Sequence, residues 1–239
     1  MSYFREFPKE FYQFASGDTA LMQNLSLYVE IVDQVKENSS FYQDFYIRDG
    51  ERPDNISHKL YDNPTLHWTF YLMNNHIREQ GWPLTQTNIV EKAKEDFPNV
   101  TLNTQDDIDM FSKVTTVASQ SGATGRLVRI DTSMGQVVID PIGDSEFTIG
   151  DTISDLDGVV TQTAVLLSVE SEYLSAHHYV DSEGNLADYR TKDGWNTGLL
   201  EMTNLEYYQK QNEDLRQIRV IKPSSIATVT SMFARAVRS

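Results

Sequence analysis

The chain contains no cysteine among its 239 residues. This absence excludes disulfide bonds, thiol catalysis and every metal site built from thiolate ligands. Without cysteine, a metal site would need carboxylates from elsewhere in the fold, and the spacing of the histidines does not favour one. His58, His67 and His76 lie nine residues apart rather than at the four-residue spacing of a helical metal pair. His177 and His178 are adjacent, so a strand there is expected to point them to opposite faces.

Long apolar runs are also missing. No stretch approaches the roughly 20 apolar residues that cross a bilayer. The first residues, MSYFREFPKEFYQF, mix charges with aromatic side chains where a signal peptide needs a clean apolar stretch. We therefore expect a soluble protein that is made in the cytoplasm and kept there until assembly.

Basic residues are scarce. The 20 lysines and arginines are outnumbered by 35 acidic residues, which gives a formal net charge of −15. Binding to DNA or RNA needs a basic surface that neutralises phosphates, so this balance argues against a nucleic-acid partner. The excess of acid is typical of a solvated surface, and the alternative is a surface that meets a basic partner.

Motifs of catalysis are absent as well. The sequence has no G-x-S-x-G elbow, no phosphate-binding P-loop and no G-x-G-x-x-G fingerprint. A Ser-His-Asp triad or a pair of catalytic carboxylates would be distributed along the chain, and nothing singles out an acid and a nucleophile. We predict a protein that is not an enzyme, with no catalytic residue, no metal site and no cofactor.

Aromatic residues, in contrast, are plentiful, with 12 Tyr, 11 Phe and 3 Trp. Such side chains bury large areas and dominate the energetics of both cores and interfaces. Residues 1–15 hold several of them, including Phe7 and Phe11, with little regular period. This arm is expected to dock either on the core of the chain itself or on a neighbouring protein.

The first hundred residues alternate helix and strand signals. Asp18 or Thr19 can cap a helix that runs to about residue 37, with one apolar stripe. An aromatic strand over 41–50 ends in a turn, and Pro53 opens a short helix to about Tyr61. Asn63 and Pro64 suit the start of a further helix to about residue 74, which is apolar nearly all round. Another helix is predicted over 88–97.

Helical spacing disappears over residues 115–175. Six glycines punctuate short β-prone runs there, namely LVRID, QVVID, EFTIGDTI and VVTQTAVLLSV. This spacing predicts a small antiparallel sheet or barrel. The tail then returns to a helix around Leu205–Leu215, a strand over 216–222 and a last helix that buries Phe233. The predicted fold class is therefore α+β.

One stretch is specific enough to resemble a known family. FYIRDGERPDNISHKLYDNPTLHWTFYLMN resembles the baseplate wedge subunit of T4-like phages, the gene-53 product family. The family carries a strand, a Gly-x-x-Pro turn, a short helix ending in Tyr, an Asn-Pro turn and a Trp-bearing helix ending in Asn. The corresponding residues here are Gly50, Pro53, Tyr61, Asn63, Pro64, Trp68 and Asn74, and Trp82-Pro83-Leu84 follows.

A second block is similar to the C-terminal strand and helix of the same family. It reads NEDLRQIRVIKPSSIATVTSMF and contains Leu215, Arg216 and Ile218, and the run HHYVDSEGN is a weaker match. The resemblance covers roughly residues 20–100 and 175–235. The glycine-punctuated segment, about 115–170, looks like an insertion relative to shorter members of the family.

The first block also resembles a LysM-type β-α-α-β module, which in other proteins binds peptidoglycan or chitin. Four segments are predicted. They are an N-terminal aromatic arm and helix (1–44), a LysM-like wedge module with a following helix (45–114), an inserted β domain (115–175) and a C-terminal helix-strand-helix segment (176–239).

The resemblance implies a structural subunit of the baseplate wedge of a contractile phage tail, located in the virion. Such a subunit joins neighbouring wedges around the tail hub, with wedge and hub-proximal subunits as partners in a sixfold assembly. The alternative is a LysM-like peptidoglycan-binding tail protein, and a tail-associated hydrolase is a third reading. The candidate interface or motif residues are Phe7, Phe11, Tyr61, Pro64, Trp68, Leu72, Trp82, Leu215, Arg216, Ile218 and Phe233.

Overall fold

Helices and strands both contribute to the computed structural model of the chain, which describes residues 9–23, 35–156 and 163–238. The strands are β1 Lys9–Gln13, β2 Thr19–Gln23, β3 Tyr42–Tyr46, β4 Val100–Asn103, β5 Thr116–Ser119, β6 Thr124–Asp131, β7 Gln136–Ile142, β8 Thr152–Asp155, β9 Ala164–Val165, β10 Ser168–Ser171, β11 Ala176–Val180, β12 Arg190–Thr191, β13 Gly194–Trp195, β14 Leu200–Thr203 and β15 Gln217–Ile221. The helices are α1 Pro53–Tyr61, α2 Trp68–Met73, α3 Asn75–Gln80, α4 Gln86–Asp96, α5 Asn204–Asp214 and α6 Ile226–Arg238. Short 3-10 helices within the described residues span Pro64–Leu66, Asp109–Lys113 and Glu172–Leu174. This mixture confirms the predicted α+β class.

The chain divides into two compact units. The first comprises Met1–Thr85 and Asn212–Ser239, and the second, Gln86–Gln211, lies between these two parts in sequence. The four segments predicted from the sequence stay a prediction, because a division by compactness does not test where segments of different function begin. Within the described residues, no helix is both long and apolar enough to span a bilayer.

A two-stranded antiparallel sheet forms the centre of the first unit. β3 pairs with β15 in a register that sets Phe45 opposite Ile218. The helices α1, α2 and α3 supply Ile56, Phe70 and Ile77, which are fully buried against this sheet. The first and last parts of the chain therefore share one core, and neither could form it alone.

The local sequence explains where these helices begin and end. Pro53 occupies the first turn of α1, where a missing N–H costs nothing. Asp62 closes α1 in the left-handed region with φ of 52°. The side chain of Asn63 then accepts a hydrogen bond from the backbone N–H of Thr65, as predicted for a helix cap. The predicted helix from Pro64 is present, but it is divided into a 3-10 turn and α2.

The helix predicted to start at Asp18 or Thr19 is wrong in its first part. Thr19–Gln23 form the strand β2, which pairs with β1 so that Phe11 lies opposite Leu21. The turn between the strands is closed by the N–H of Phe14 donating to the carbonyl of Asp18 at 2.8 Å. Five residues of apolar spacing fit a strand as well as a helix, and the partner strand decides between them. Residues 24–34, which carry most of the predicted stripe, lie outside the described residues, and residues 35–37 are helical.

A seven-stranded antiparallel sheet dominates the second unit. Its strand order is β10-β4-β7-β6-β5-β8-β9. β6 and β7 contain the predicted runs LVRID and QVVID, so the expected antiparallel sheet is present. β4, which precedes the segment predicted as β-rich, pairs with both β7 and β10. The core beside the sheet includes Phe111, carried on the second 3-10 helix and fully buried.

Candidate protein-interaction surfaces

Arg216 is the most deeply buried charged residue among those described in the first unit, with 3% of its surface exposed. Its Nη2 donates to Asp49 Oδ1 at 2.7 Å and to the carbonyl of Leu84 at 3.2 Å. Its Nη1 donates to the carbonyl of Ile47 at 3.3 Å. Nε lies 3.5 Å from a Glu213 carboxylate oxygen, an ion-pair contact without hydrogen-bond geometry. The planar guanidinium therefore ties the end of β3, the start of β15 and the segment before α4 together.

Two buried asparagines act as substitutes for strand neighbours. Asn74 Oδ1 accepts the backbone N–H of Arg219 at 2.8 Å, and its Nδ2 donates to the carbonyl of the same residue at 2.8 Å. Asn212 makes the same pair of bonds with the backbone of Leu84, at 2.7 and 3.1 Å. An amide side chain has the donor and acceptor of a peptide group, so each asparagine satisfies backbone groups that no neighbouring strand pairs with.

Replacing Asn74 by Ala should lower the free energy of unfolding by about 2–3 kcal/mol, because the N–H and C=O of Arg219 lose their partner together. Urea unfolding measures the loss. Asn75→Ala is the matched control, since this neighbouring side chain is exposed and is expected to change stability by less than about 0.5 kcal/mol. Equal losses in the two variants would show that the Asn74 amide does not hold β15.

Two aromatic residues of the family-like stretch described above, Tyr61 and Trp82, pack around Phe70. The rings of Tyr61 and Trp82 lie 6.0 and 6.2 Å from its ring, measured between centroids. The Tyr61 hydroxyl donates to the carbonyl of Ile221 at 2.9 Å, and the Trp82 indole donates to the carbonyl of Glu51 at 2.8 Å. Burial raises the pKa of Tyr61, so its hydroxyl stays protonated and remains a donor. Each of these two rings therefore packs in the apolar core while its polar group, the hydroxyl or the indole N–H, makes a hydrogen bond.

The predicted interface residues divide by exposure. Arg216, Ile218 and Phe233 are buried, whereas Tyr61, Trp68, Leu72, Trp82 and Leu215 are half-buried and Pro64 is exposed. The Trp68 ring lies 5.0 Å from that of Phe233, so α2 and α6 meet through this pair. Phe11 is also exposed, at 80%. Phe7 lies outside the described residues. The structure thus brings most of these residues into one module and sets Phe11 apart on β1.

Among the described residues of the first unit, the hairpin of β1 and β2 carries the aromatic side chains that are most exposed, Phe11 and Tyr12. Its two strands pair only with each other among the described strands. Phe11 and Leu21 face each other on one side, while Tyr12 and Met22 lie on the other. All four are exposed by roughly half or more. An isolated two-stranded hairpin is marginally stable in water, and one with apolar residues on both faces is typical of an interaction element.

The adjacent histidines do not lie on opposite faces, so that expectation was wrong. The Nδ1 atoms of His177 and His178 are 2.8 Å apart, and the Tyr207 ring stacks on His177 at 4.0 Å. The pairing of β11 with β14 slips between Ala176 and His178, and such a bulge turns neighbouring side chains to one side. In the described part of the chain, no group of three or more potential ligands could hold a metal ion.

The pair of His177 and His178 predicts that the free energy of unfolding falls in acid. Burial, and then the charges of His178 and Arg129, lower the pKa of His177 below its ordinary value. The unfolded chain therefore takes up a proton before the folded chain does. Stability is fully present above the ordinary histidine range, near pH 6.5, and is lost as the pH falls towards the lowered value. Urea unfolding between about pH 7.5 and 5 should show a shallower decline for His177→Gln, and parallel curves would contradict the assignment.

Sequence reasoning did not identify Asn212 or the function of Asn74. The available signal was weak but real, because a polar amide at the end of an apolar helix, as in Asn74, has to find partners when it is buried. Asn212 is a polar residue at a position where the helical pattern of Leu205, Tyr208 and Leu215 predicts an apolar one. Their partners, Arg219 and Leu84, are distant in sequence, so only the fold reveals what the amides bind.

The sequence of residues 16–111 matches the family model of base plate wedge protein 53. The match covers less than half of the chain, and it confirms the resemblance carried by the first of the two blocks. The second block, towards the C-terminus, stays a prediction. A comparison with curated proteins found no significant match.

Proposed function

We propose that this chain, whose residues 16–111 match the family model of base plate wedge protein 53, is a structural baseplate protein that joins neighbouring wedges of a contractile phage tail around its hub. The family match is the observation that carries the proposal. A role in the baseplate would locate the protein in the virion tail. Several copies in a sixfold arrangement, with other wedge and hub-proximal subunits as partners, follow from the joining role.

The module around Arg216 supports this role indirectly. Tyr61, Trp82, Arg216 and Ile218 use their polar or apolar groups within the first unit, so they fix the shape that a partner meets. A rigid surface loses less conformational entropy on binding than a mobile one. We propose that these motif residues act by holding the module together, and that exposed residues make the contacts.

The β1–β2 hairpin is the proposed contact element. Its exposed aromatic and aliphatic side chains have the composition of interface anchors. We propose that the hairpin is buried against neighbouring subunits during assembly in the host cytoplasm. Neither nucleic acid nor membrane is proposed as a partner, because the net charge of −15 disfavours phosphate surfaces.

Phe11→Asp tests the hairpin. The exposed side chain contributes little to folding, so the circular dichroism spectrum of the purified variant should match that of the parent. Loss of an interface anchor costs about 2 kcal/mol, so tails counted by electron microscopy after complementation should fall at least about tenfold. Phe11→Tyr keeps the aromatic area and should assemble normally. Full assembly of Phe11→Asp tails would remove the hairpin from the interface.

Trp68→Ala tests the module in the same assay. This change removes the contact with Phe233 between α2 and α6, and it is expected to block wedge joining or to unfold the module. Trp68→Phe retains a ring and separates the two outcomes. Normal contractile tails in the alanine variant would show that α2 is not needed for joining.

The alternative function is glycan binding by a LysM-like module. The order β3, α1, α2, α3 and β15 supports such a module, with its last strand supplied after the second unit. Saturable retention on peptidoglycan or chitin, lost in variants of residues 45–88, would favour this function. A tail-associated hydrolase would instead lower the turbidity of a cell-wall suspension, and we expect no such loss.

A further inference from the structure

The two edge strands of the seven-stranded sheet in the second unit follow each other closely in the chain. β9 forms one edge and β10 the other, and only Leu166 and Leu167 separate them. The carbonyl of Leu166 accepts the N–H of Gly150, just before β8, at 2.8 Å, and the N–H of Leu167 donates to the carbonyl of Asn103, on β4, at 2.8 Å. The two edges of the sheet therefore meet at this point. Beyond it, β10 pairs with β4 alone among the described strands.

The outer edge of β10 presents backbone groups that no described strand pairs with. The N–H of Glu172 donates to the carbonyl of Asn99 at 2.8 Å, and every second residue of an antiparallel strand bonds to its partner in this way. Val169 and Ser171 fall on the alternate positions, so their N–H and carbonyl groups point away from β4. No hydrogen bond from another described residue reaches them. An open edge of this kind is a template for an added strand.

A cleft of about 820 Å³ opens beside this edge. Val169 and Ser171 line one wall, and residues 143–149, which precede β8 and form no strand, line the other. Ile149 on the second wall is 70% exposed, so it offers an aliphatic contact to whatever lies in the cleft. An extended segment placed there would pair with β10 and pack on Ile149.

The charged residues that line the cleft are all acidic, namely Asp144, Glu146 and Glu170. The side chains of Asp144 and Glu146 on the second wall are exposed, and neither forms an ion pair with a described residue. A segment with basic side chains is therefore complementary to the cleft. A second copy of the chain would bring the same carboxylates and a net charge of −15, so charge disfavours the pairing of two β10 edges.

We propose that the cleft beside β10 binds an extended basic segment of a partner protein, which adds a strand at Val169 and Ser171 and sets basic side chains against Asp144 and Glu146. This gives a binding role to the second unit, most of which lies beyond the residues that the family model matches. The identity of the partner as a baseplate subunit rests on the proposed function. The binding chemistry rests only on the strand edge and the cleft.

Ser171→Pro isolates the strand edge. Ser171 has a φ of −62°, which is the value that a proline ring imposes, and Glu170 before it is in a strand, as proline requires. The substitution therefore fits the folded backbone and removes only the outward N–H, so urea unfolding should show no loss of stability. Ser171→Ala keeps the N–H and is the matched control.

The probe is an acetylated and amidated pentapeptide of alternating valine and lysine, titrated into the full-length chain labelled with ¹⁵N. The amide resonance of Val169 should shift saturably, and its hydrogen exchange should slow at least about tenfold at saturation. Ser171→Pro should weaken binding at least about tenfold, because one hydrogen bond is lost and the ring obstructs the edge. Ser171→Ala should bind the peptide as the parent does.

Two paired substitutions test the charge. Asp144→Asn combined with Glu146→Gln should weaken binding of the lysine peptide about fivefold, as expected for the loss of two exposed ion pairs. Glu183→Gln combined with Asp193→Asn changes the net charge by the same amount at exposed positions outside the cleft, and it should leave binding unchanged. Equal binding by both double variants would overturn the basic character of the occupant.

Three further results would overturn the proposal. They are the absence of any shift at Val169, undiminished binding to Ser171→Pro, and an equal shift with spermidine, which carries charge but no peptide backbone. Slower exchange at Val169 on raising the protein concentration alone would assign the edge to a second copy of the chain and overturn it too. None of these results affects the joining role, which fails only if the chain is absent from purified tails.

Discussion

Gly135→Ala should be among the most destabilising single substitutions in the second unit, with an expected loss of about 3–5 kcal/mol. Gly135 lies in the turn between β6 and β7 and has a φ of +68°. Residues other than glycine rarely adopt this backbone conformation. An added Cβ would collide with the carbonyl oxygen of Thr104 and approach the Trp195 ring at 2.9 Å. The backbone must then move, and the bond from Thr104 N–H to the Gly135 carbonyl is lost with it.

Gly143→Ala separates the two causes. Gly143 also has a positive φ, of +78°, but its added Cβ would meet nothing within 4 Å. The free energy of unfolding of this variant should therefore fall by only about 1 kcal/mol, which is the cost of holding a residue with a Cβ in the left-handed conformation. Urea unfolding together with hydrogen exchange of β6 and β7 measures both variants. Equal losses would mean that the close approach to Thr104 is not part of the folded state.

Arg216→Ala should have the largest polar effect in the first unit, about 3 kcal/mol. The substitution removes the charged donor to the carbonyl of Ile47, leaves the carbonyl of Leu84 with only its bond from Asn212, and opens the space that the side chain filled. The side chain of Asp49 is half exposed, so water can solvate its charge. The loss therefore comes mainly from the buried carbonyls and packing rather than from an isolated buried charge.

Two comparisons sharpen the Arg216 result. Arg216→Lys keeps the charge but lacks the planar fork, so it should recover only part of the loss. Arg48→Ala removes an exposed arginine and should stay within about 0.5 kcal/mol of the parent. Urea unfolding, with exchange of β3 and β15 amides as the local readout, distinguishes these values. An Arg216→Ala chain as stable as Arg48→Ala would show that the guanidinium is not a structural tie.

Residues that start or end helices made part of this fold predictable from the sequence. Pro53 and the Asn63-Pro64 pair set the start of α1 and of the following turn because proline and the asparagine cap act within a few residues. The strand β2 was mistaken for a helix because its pairing with β1 is a tertiary choice. His177 and His178 lie on the same side because of a β-bulge, and nothing in the local sequence predicts that bulge.

The contacts of the candidate site were less accessible from the sequence. A charged residue such as Arg216 is expected at the surface, and its burial depends on carbonyls about 130 to 170 positions away. The same holds for Asn74 and the strand edge at Arg219. The resemblance identified Arg216 and Asn74 as motif residues, but their hydrogen bonds give the physical reason why these residue types stand there.

A reconstruction of intact tails by electron cryomicroscopy tests the central claim most directly. Sixfold density for this chain at the contacts between wedges, with the β1–β2 hairpin enclosed by neighbouring subunits, is the predicted result. Purified tails that lack the chain, together with a free monomer that turns over a substrate, would contradict it.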